Sequence, residues 1–373
     1  MGRRAATHRF PRSSEGTLHG MRALRKTDRC AGAELVDVPV PEPGEDEVLV
    51  RVHAASICGT DLHIYEWNEW AESRIPTVPM TFGHEVAGTV EAVGVEVHHV
   101  EAGAFVAAET HIACGQCATC RSGRAHICER LRILGVDTDG AFAEHVVVPA
   151  PNAWVVGDGI APDVASIMEP FGNAVHAAFG TGGGEDLATN AVVVIGCGPI
   201  GLFAVGIARA LGAWKVIAIE PNDYRRAMAT PMGADLVIDP ATTDPVAAVT
   251  DATNGSGAEV VLEMSGNARA IDQGTRMLAR GGRMSFLGLP DRPVTLDLND
   301  QVIFKEARLQ GITGREMFRT WQQTTTLLST GRVDVAPIIT HRFSLERFEE
   351  AFATAASGES GKVILLPAGG SSG

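Results

Sequence analysis

The sequence predicts an α/β protein of two units, one β-rich and one built on a doubly wound parallel sheet. Three observations carry that prediction. The chain has 373 residues, which at roughly 150 residues per domain argues for two domains. Up to about Pro149 short β runs are broken by proline and glycine, and from Asn190 the rhythm changes to buried strand, helix, strand. Apolar residues make up 45% of the chain, aromatic residues only 5%, and glycine counts 42, a balance closer to a glycine-rich α/β enzyme than to a β-sandwich.

Residues 1–20 (MGRRAATHRFPRSSEGTLHG) carry four arginines and one acidic residue without strand or helix periodicity. No clear amphipathic helix of a transit peptide shows, so they are expected to be a disordered extension, and Met21 is taken as the start of the fold. Strands are expected at 47–53 (EVLVRVH), 86–93 (VAGTVEAV) and 143–148 (AEHVVV), while Pro39, Pro41 and Pro43 should keep their neighbourhood irregular. The second unit then reads AVVVI at 191–195, a helical run from Pro199 to Leu211, KVIAIE at 215–220, VVLEM at 260–264 and RMSFLG at 283–288. Such alternation means βαβ units and a parallel sheet. After about Gly314 a helix and one closing strand, KVILL at 362–366, are expected, the strand returning to the first unit. The division is thus 21–172 with 315–366 for the first unit and 173–314 for the second, with 367–373 a linker-like flexible tail.

Lys and Arg number 31 against 45 Asp and Glu, a net charge of −14. An acidic surface repels phosphate backbones and anionic headgroups, so no nucleic-acid or membrane partner is expected. No stretch approaches 18 consecutive apolar residues, which excludes a transmembrane helix. Seven cysteines, four of them within fifteen positions, read as metal ligation in a reducing, cytoplasmic setting.

Gly196-Cys197-Gly198-Pro199-Ile200-Gly201 follows the AVVVI strand directly and opens a helix. Gly196 allows the tight turn, Gly198 lets the backbone approach a pyrophosphate, and Gly201 lets helix and strand pack closely. The helix N-terminus then faces the phosphates. Glu220 ends the next strand 19 residues after Gly201, placed to bind the adenosine ribose hydroxyls and to repel a 2′-phosphate. NAD is therefore favoured over NADP, although Arg225 and Arg226 follow closely. The context is that of a Rossmann domain, against the blander reading of a glycine turn without a ligand.

Cys114-x2-Cys117-x2-Cys120-x7-Cys128 offers four thiolates to one tetrahedral zinc, leaving no open position, as in a structural site. The spacing does not match ferredoxin iron–sulfur runs, and a nucleic-acid zinc knuckle would want a basic chain. A second cluster is looser. Cys58 and His84 are metal-ligand types at loop-like positions, and Glu85 and Glu169 could complete a mixed sulfur, nitrogen and oxygen site of the catalytic kind. Taken singly, each is more often an ordinary core residue.

CGTD-x-H, GHE-x2-G-x-V-x2-VG, the four-cysteine lobe and GxGPIG, in that order, resemble the zinc-containing medium-chain dehydrogenases. Within them HIYEWNEW (63–70), HIACGQCATCRSGRAHIC (111–128), EPFGNAVH (169–176), GREMF (314–318), PIITHRF (337–343) and SGKVIL (360–365) are similar to the L-threonine 3-dehydrogenase family, over nearly the whole chain from Met21 to about Leu366. The resemblance implies a GroES-like catalytic domain beside the Rossmann domain. It also implies NAD-dependent oxidation of the L-threonine 3-hydroxyl, two zinc ions per chain, one catalytic and one structural, and a homotetramer. Carried over position by position, Cys58, His84 and Glu85 match catalytic zinc ligands, Glu169 an acidic residue near that zinc, and Thr60 and His63 a proton-relay pair. Ile200, Glu220, Arg225, Leu287, Gly288, Leu289, Ile312 and Thr313 match NAD contacts, and His111 falls in a loop toward the substrate. Glu85, His111 and Glu169 are candidates for the region holding the substrate's ammonium and carboxylate.

Two departures stand out. Gly103-Ala104-Phe105-Val106 replaces the Gly-Asp-Arg-Val common in the superfamily, which removes a charged pair, and Thr313 stands where an aromatic is common. Two rival readings remain at this stage. A polyol or vicinal-diol dehydrogenase would use the same zinc, relay and NAD. A non-catalytic NAD-binding protein should have lost some of Cys58, Thr60, His63, His84 and Glu85, yet all five are present.

Overall fold

In the computed structural model, residues 20–157 and 159–367 are described. The expectations for the first nineteen residues and for 368–373 lie outside them. The N-terminal unit is built on the long strand Glu47–Ser56, whose apolar residues Val48, Val50 and Val52 are buried. It pairs antiparallel with Glu85–Val93 on one side and with Lys362–Leu366 on the other. The sheet continues through Phe105–Ala108 to Ala153–Val155, and through Lys362–Leu366 to Ile339–Ser344, with His145–Pro149 also paired to Glu47–Ser56. The closing strand returns to the first unit as the sequence suggests.

The second unit is a six-stranded parallel sheet. Its order is Leu236–Ile238, Lys215–Ile219, Ala191–Ile195, Ala258–Glu263, Leu278–Phe286, Arg308–Gly311. The chain starts in the middle and works outward to one edge, then to the other, so the strand order reverses between Ala191–Ile195 and Ala258–Glu263, the switch point where doubly wound sheets bind ligands. Ala191–Ile195 is β-rich in side chains and buried at every residue, as a strand covered on both faces must be. The helix Pro199–Ala210 begins with proline in its first turn, where no backbone donor is needed, and is buried from Gly201 to Ala208.

Several boundaries differ from the sequence reading. The proline-rich segment is regular as far as Pro39, which ends the edge strand Glu34–Pro39, a place where a missing ladder donor costs little. The last part of the chain holds more than one helix and one strand. Besides Arg319–Ser329 and Lys362–Leu366, it forms the strand Ile339–Ser344 and the helix Phe348–Ala356. The division drawn at 172/173 falls inside the helix Met168–Phe179. That helix is buried along most of its length and joins the units, and the core beneath it takes Ala54, Ile339 and Ile364 from the β-rich sheet. Where the superfamily's charged pair is missing, Phe105 packs against the buried apolar cluster that holds Ala87, Ala107 and Trp321 and lies 6.1 Å from the His53 ring, so apolar packing stands in its place.

Candidate active site

Strand pairing assembles the first cluster. The register places Ser56 opposite Glu85, which brings Cys58, two residues beyond, beside His84 and Glu85. Gly83 turns the chain at φ +94°, and a Cβ there would stand 2.6 Å from the Phe142 ring, so only glycine fits. One ligand atom each from Cys58, His84 and Glu85 lie within 4.8 Å of one another.

Asp61 braces this cluster. It is buried in the first turn of the helix Gly59–Glu66, where its Oδ2 accepts from the Cys58 backbone N–H at 2.8 Å. Its Oδ1 lies 3.3 Å from His84 Nδ1, with no hydrogen bond closed between the two among the described residues. Burial lowers the His84 pKa, but Asp61 and Cys58 outweigh it and hold it well above the usual imidazole value. Glu85 accepts from Ser56 Oγ and pairs with the buried Lys362. Burial pushes its pKa up to about 7 against the pull of Lys362. Among the described residues its buried Oε1 has no partner, as expected of an oxygen reserved for a cation. The donor set of one sulfur, one nitrogen and one oxygen suits zinc with a position left for substrate.

Glu169 stands outside that triad. Its carboxylate accepts from Thr110 Oγ1 at 3.1 Å and lies 2.6 Å from Arg315 Nη1. Arg315, 1% exposed, also forms a two-point pair with Glu109, bonds Asn173 Oδ1 at 3.0 Å, and packs where a Cβ on Gly172 would collide with it. Trp321 Nε1 donates to Glu109 at 2.6 Å. Burial works to raise the Glu109 pKa, but Arg315 holds it below the usual range, and Glu109 and Glu169 raise that of Arg315. His111 packs over Gly314, and burial followed by Arg315 lowers its pKa to about 4, so its ring is neutral.

Thr60 and His63 are three residues apart on one face of the helix Gly59–Glu66. Thr60 Oγ1 is 4.0 Å from Cys58 Sγ, and His63 sits further along at the exposed edge.

In the separate lobe, sulfur–sulfur distances are 3.4 Å for Cys117–Cys120, 3.9 Å for Cys117–Cys128 and 4.0 Å for Cys114–Cys120. Zn–S bonds of about 2.3 Å in a tetrahedron place sulfurs about 3.8 Å apart, so the four fit one ion. The Gln116 N–H and then Arg130 lower the Cys114 pKa to about 5.

The cofactor cleft opens at the switch point with a volume of about 470 Å³, lined among others by Gly196, Gly198, Glu220 and Arg225. A Cβ on Gly201 would stand 1.8 Å from the Gly196 carbonyl oxygen, whereas one on Gly198 would meet nothing within 4 Å, leaving the room a dinucleotide backbone needs. Glu220 accepts from the Cys197 N–H at 2.6 Å and the Asn222 N–H at 2.9 Å, which ties the glycine turn to the end of the next strand. Ile200, Gly201, Leu287, Gly288, Leu289, Ile312 and Thr313 do not line this cleft. Leu287–Leu289 and Ile312–Thr313 follow the C-terminal ends of their strands, on the same edge of the sheet as Gly196. Leu289 and Thr313 are exposed there.

The sequence reading assigned no role to Asp61, Glu109, Arg315 or Lys362. Asp61 and Arg315 stood in quoted motifs, CGTD and GREMF, and Lys362 in SGKVIL; their burial is what marks them.

A three-residue metal cluster and a dinucleotide cleft in adjoining units are the two halves of a zinc-dependent medium-chain dehydrogenase. The comparisons agree. The alcohol dehydrogenase GroES-like domain model matches residues 44–158, and the zinc-binding dehydrogenase model matches residues 199–330. An L-threonine 3-dehydrogenase of Bacillus subtilis is 51% identical over 347 residues, 93% of this chain and 99% of the relative. Among solved structures, a zinc-binding dehydrogenase of Sinorhizobium meliloti bound to NADP superposes with a TM-score of 0.85 at 31% identity, covering 93% of this chain and 99% of that one. The 2R,3R-butanediol dehydrogenase of Bacillus subtilis gives a TM-score of 0.83 at 27% identity with the same coverage. The chain belongs to the L-threonine 3-dehydrogenase family of the zinc-containing medium-chain dehydrogenases.

Proposed function

We infer that this protein oxidises L-threonine at its 3-hydroxyl to L-2-amino-3-oxobutanoate and reduces NAD to NADH, a step of threonine breakdown. The observation that carries the reaction type is the Cys58, His84 and Glu85 cluster, with ligand atoms inside 4.8 Å of one another. The choice of threonine over a diol rests on the relative named for it at 51% identity, against 27% for the butanediol enzyme. When bound, zinc at this cluster supplies Lewis acidity that makes a hydroxyl easier to deprotonate, and NAD supplies the hydride acceptor.

The chain's own residues do the rest. Cys58, His84 and Glu85 hold the catalytic zinc, and Asp61 holds the Cys58 backbone in place beside it. Thr60 accepts the substrate hydroxyl proton as it gives up its own toward His63, one turn along, from which a proton leaves to solvent, a task suited to an imidazole. Glu169 stays near the metal on the Arg315 tether. Gly196, Gly198, Ile200, Gly201, Glu220, Arg225, Leu287, Gly288, Leu289, Ile312 and Thr313 hold NAD, and the buried Glu220 carboxylate argues for the 2′-hydroxyl form. Cys114, Cys117, Cys120 and Cys128 hold the structural zinc. We assign residues 21–172 and 315–366 to the catalytic domain and 173–314 to the cofactor domain, and place the enzyme in the cytoplasm as a homotetramer; among the described residues no helix is long and apolar enough to cross a membrane.

Replacing Thr60 by valine tests the chemistry. Threonine oxidation should fall by about 100-fold or more, the range for a lost proton-transfer group, with NAD binding unchanged. Full turnover in that variant would remove Thr60 from the mechanism.

A further inference from the structure

Asn68 faces the ring of His63 in a way that fixes where its proton sits. The helix Gly59–Glu66 ends at Trp67, whose left-handed backbone (φ 53°, ψ 54°) folds the chain back. Asn68 then caps the next helix, Glu69–Arg74, its Oδ1 accepting from the Ala71 N–H at 3.1 Å. That bond sets the orientation of the amide, because turned over it would present N–H to N–H. Nδ2 is thereby directed to His63, and it lies 2.7 Å from the ring Nδ1. Trp70 packs on the same ring with centroids 5.8 Å apart. An amide nitrogen donates only, so Nδ1 must be the bare, accepting nitrogen and Nε2 must carry the proton.

We propose that Asn68 is a positioning residue for the relay, fixing the His63 tautomer with the proton on Nε2. The proposal rests on the relay role given to His63 above. Taking up a second proton would turn a ring N–H against the amide N–H, a mismatch relieved when the ring loses a proton to the solvent it faces. Other charged groups on the neighbouring elements are Glu66 on the same helix, Glu69, Glu72 and Arg74 on the helix that Asn68 caps, and Glu349 and Glu350 on Phe348–Ala356. Glu72 is engaged by Trp67 and Arg29, Arg74 by Asp137, Glu350 by Arg347, and Asp61 is turned inward to Cys58 and His84. All stay unchanged in the test.

The test compares the zinc-loaded full chain with Asn68→Asp and Asn68→Ser, both of which keep a good helix N-cap. Proton–nitrogen NMR of ¹⁵N-labelled histidines, assigned through the signal lost in His63→Gln, reads the tautomer directly. The native chain should show a bare Nδ1 and a protonated Nε2 at neutral pH. Asn68→Asp should move the proton to Nδ1, and Asn68→Ser should leave a mixture. A protonated Nδ1 in the native chain, or an unchanged spectrum in both variants, would overturn the proposal. An aspartate stabilises the charged ring, so the acid limb of kcat/KM for threonine should move about one unit to higher pH in Asn68→Asp. If the tautomer changes while that limb stays put, the assignment of Asn68 stands and the relay role of His63 falls.

Discussion

Arg315 offers the sharpest quantitative prediction. It is 1% exposed and holds two carboxylates, Glu109, which is fully buried, and Glu169. Replacing it by methionine keeps most of the volume and removes the charge. Glu109 would be left with Trp321 Nε1 and the His111 N–H, and Glu169 with Thr110 Oγ1. Breaking one partner out of a buried pair costs about 3–5 kcal/mol, since a charge stays behind without its counterpart. At about 2–4 °C per kcal/mol, thermal unfolding of the zinc-loaded protein at neutral pH should come about 10 °C earlier. The same scan on Arg315→Met with Glu109→Gln separates the pair from packing. Removing the stranded charge should recover a large part of the loss, so the double variant should be more stable than the sum of the singles. A drop under about 1 °C in Arg315→Met, or losses that simply add, would refute the reading of Arg315 as an electrostatic keystone.

Three further outcomes follow. Cys117→Ser should lower the zinc content from two ions per chain to one by metal analysis, with earlier unfolding and the catalytic ion retained. Glu220→Ala should raise the KM for NAD by about tenfold and narrow the preference over NADP, since the carboxylate that repels a 2′-phosphate is gone; an unchanged cofactor ratio would contradict the role given to it. The neutral His111 predicts an acid weakness: its folded pKa of about 4 lies below the ordinary 6.5, so the folded state resists a proton that the unfolded state takes. Stability on this account is complete above about pH 6.5 and falls by about 3 kcal/mol as pH drops through the folded value. His111→Asn should flatten that part of the stability curve in denaturant titrations.

The cofactor unit was legible because its signals are local. AVVVI, the glycine turn and Glu220 lie within thirty residues, and the four central strands each carry an apolar run, whereas the edge strands Leu236–Ile238 and Arg308–Gly311, one only three residues long and the other polar, were not read. The four-cysteine lobe was legible for the same reason. The C-terminal strand Ile339–Ser344 was missed because its polar Thr340, His341 and Arg342 give no apolar run, and its place is set by pairing with Lys362–Leu366. The supporting residues of the site were missed for a different reason. Arg315 and Glu109 are 206 positions apart, and Lys362 and Glu85 are 277 apart. In sequence each looks like a solvated surface charge, and only the closed fold buries them against each other. Phe105 likewise gave no hint that packing against a buried apolar cluster would stand in for a charged pair.

The central claim is that this zinc cluster and this cofactor cleft oxidise threonine. The most direct measurement is NADH formation from NAD with L-threonine, sorbitol, 2,3-butanediol and a simple alcohol, in the native chain and in Cys58→Ser. The account predicts that L-threonine dominates and that its oxidation disappears in Cys58→Ser. A diol or polyol dominating the panel, or threonine turnover surviving without Cys58, would contradict it.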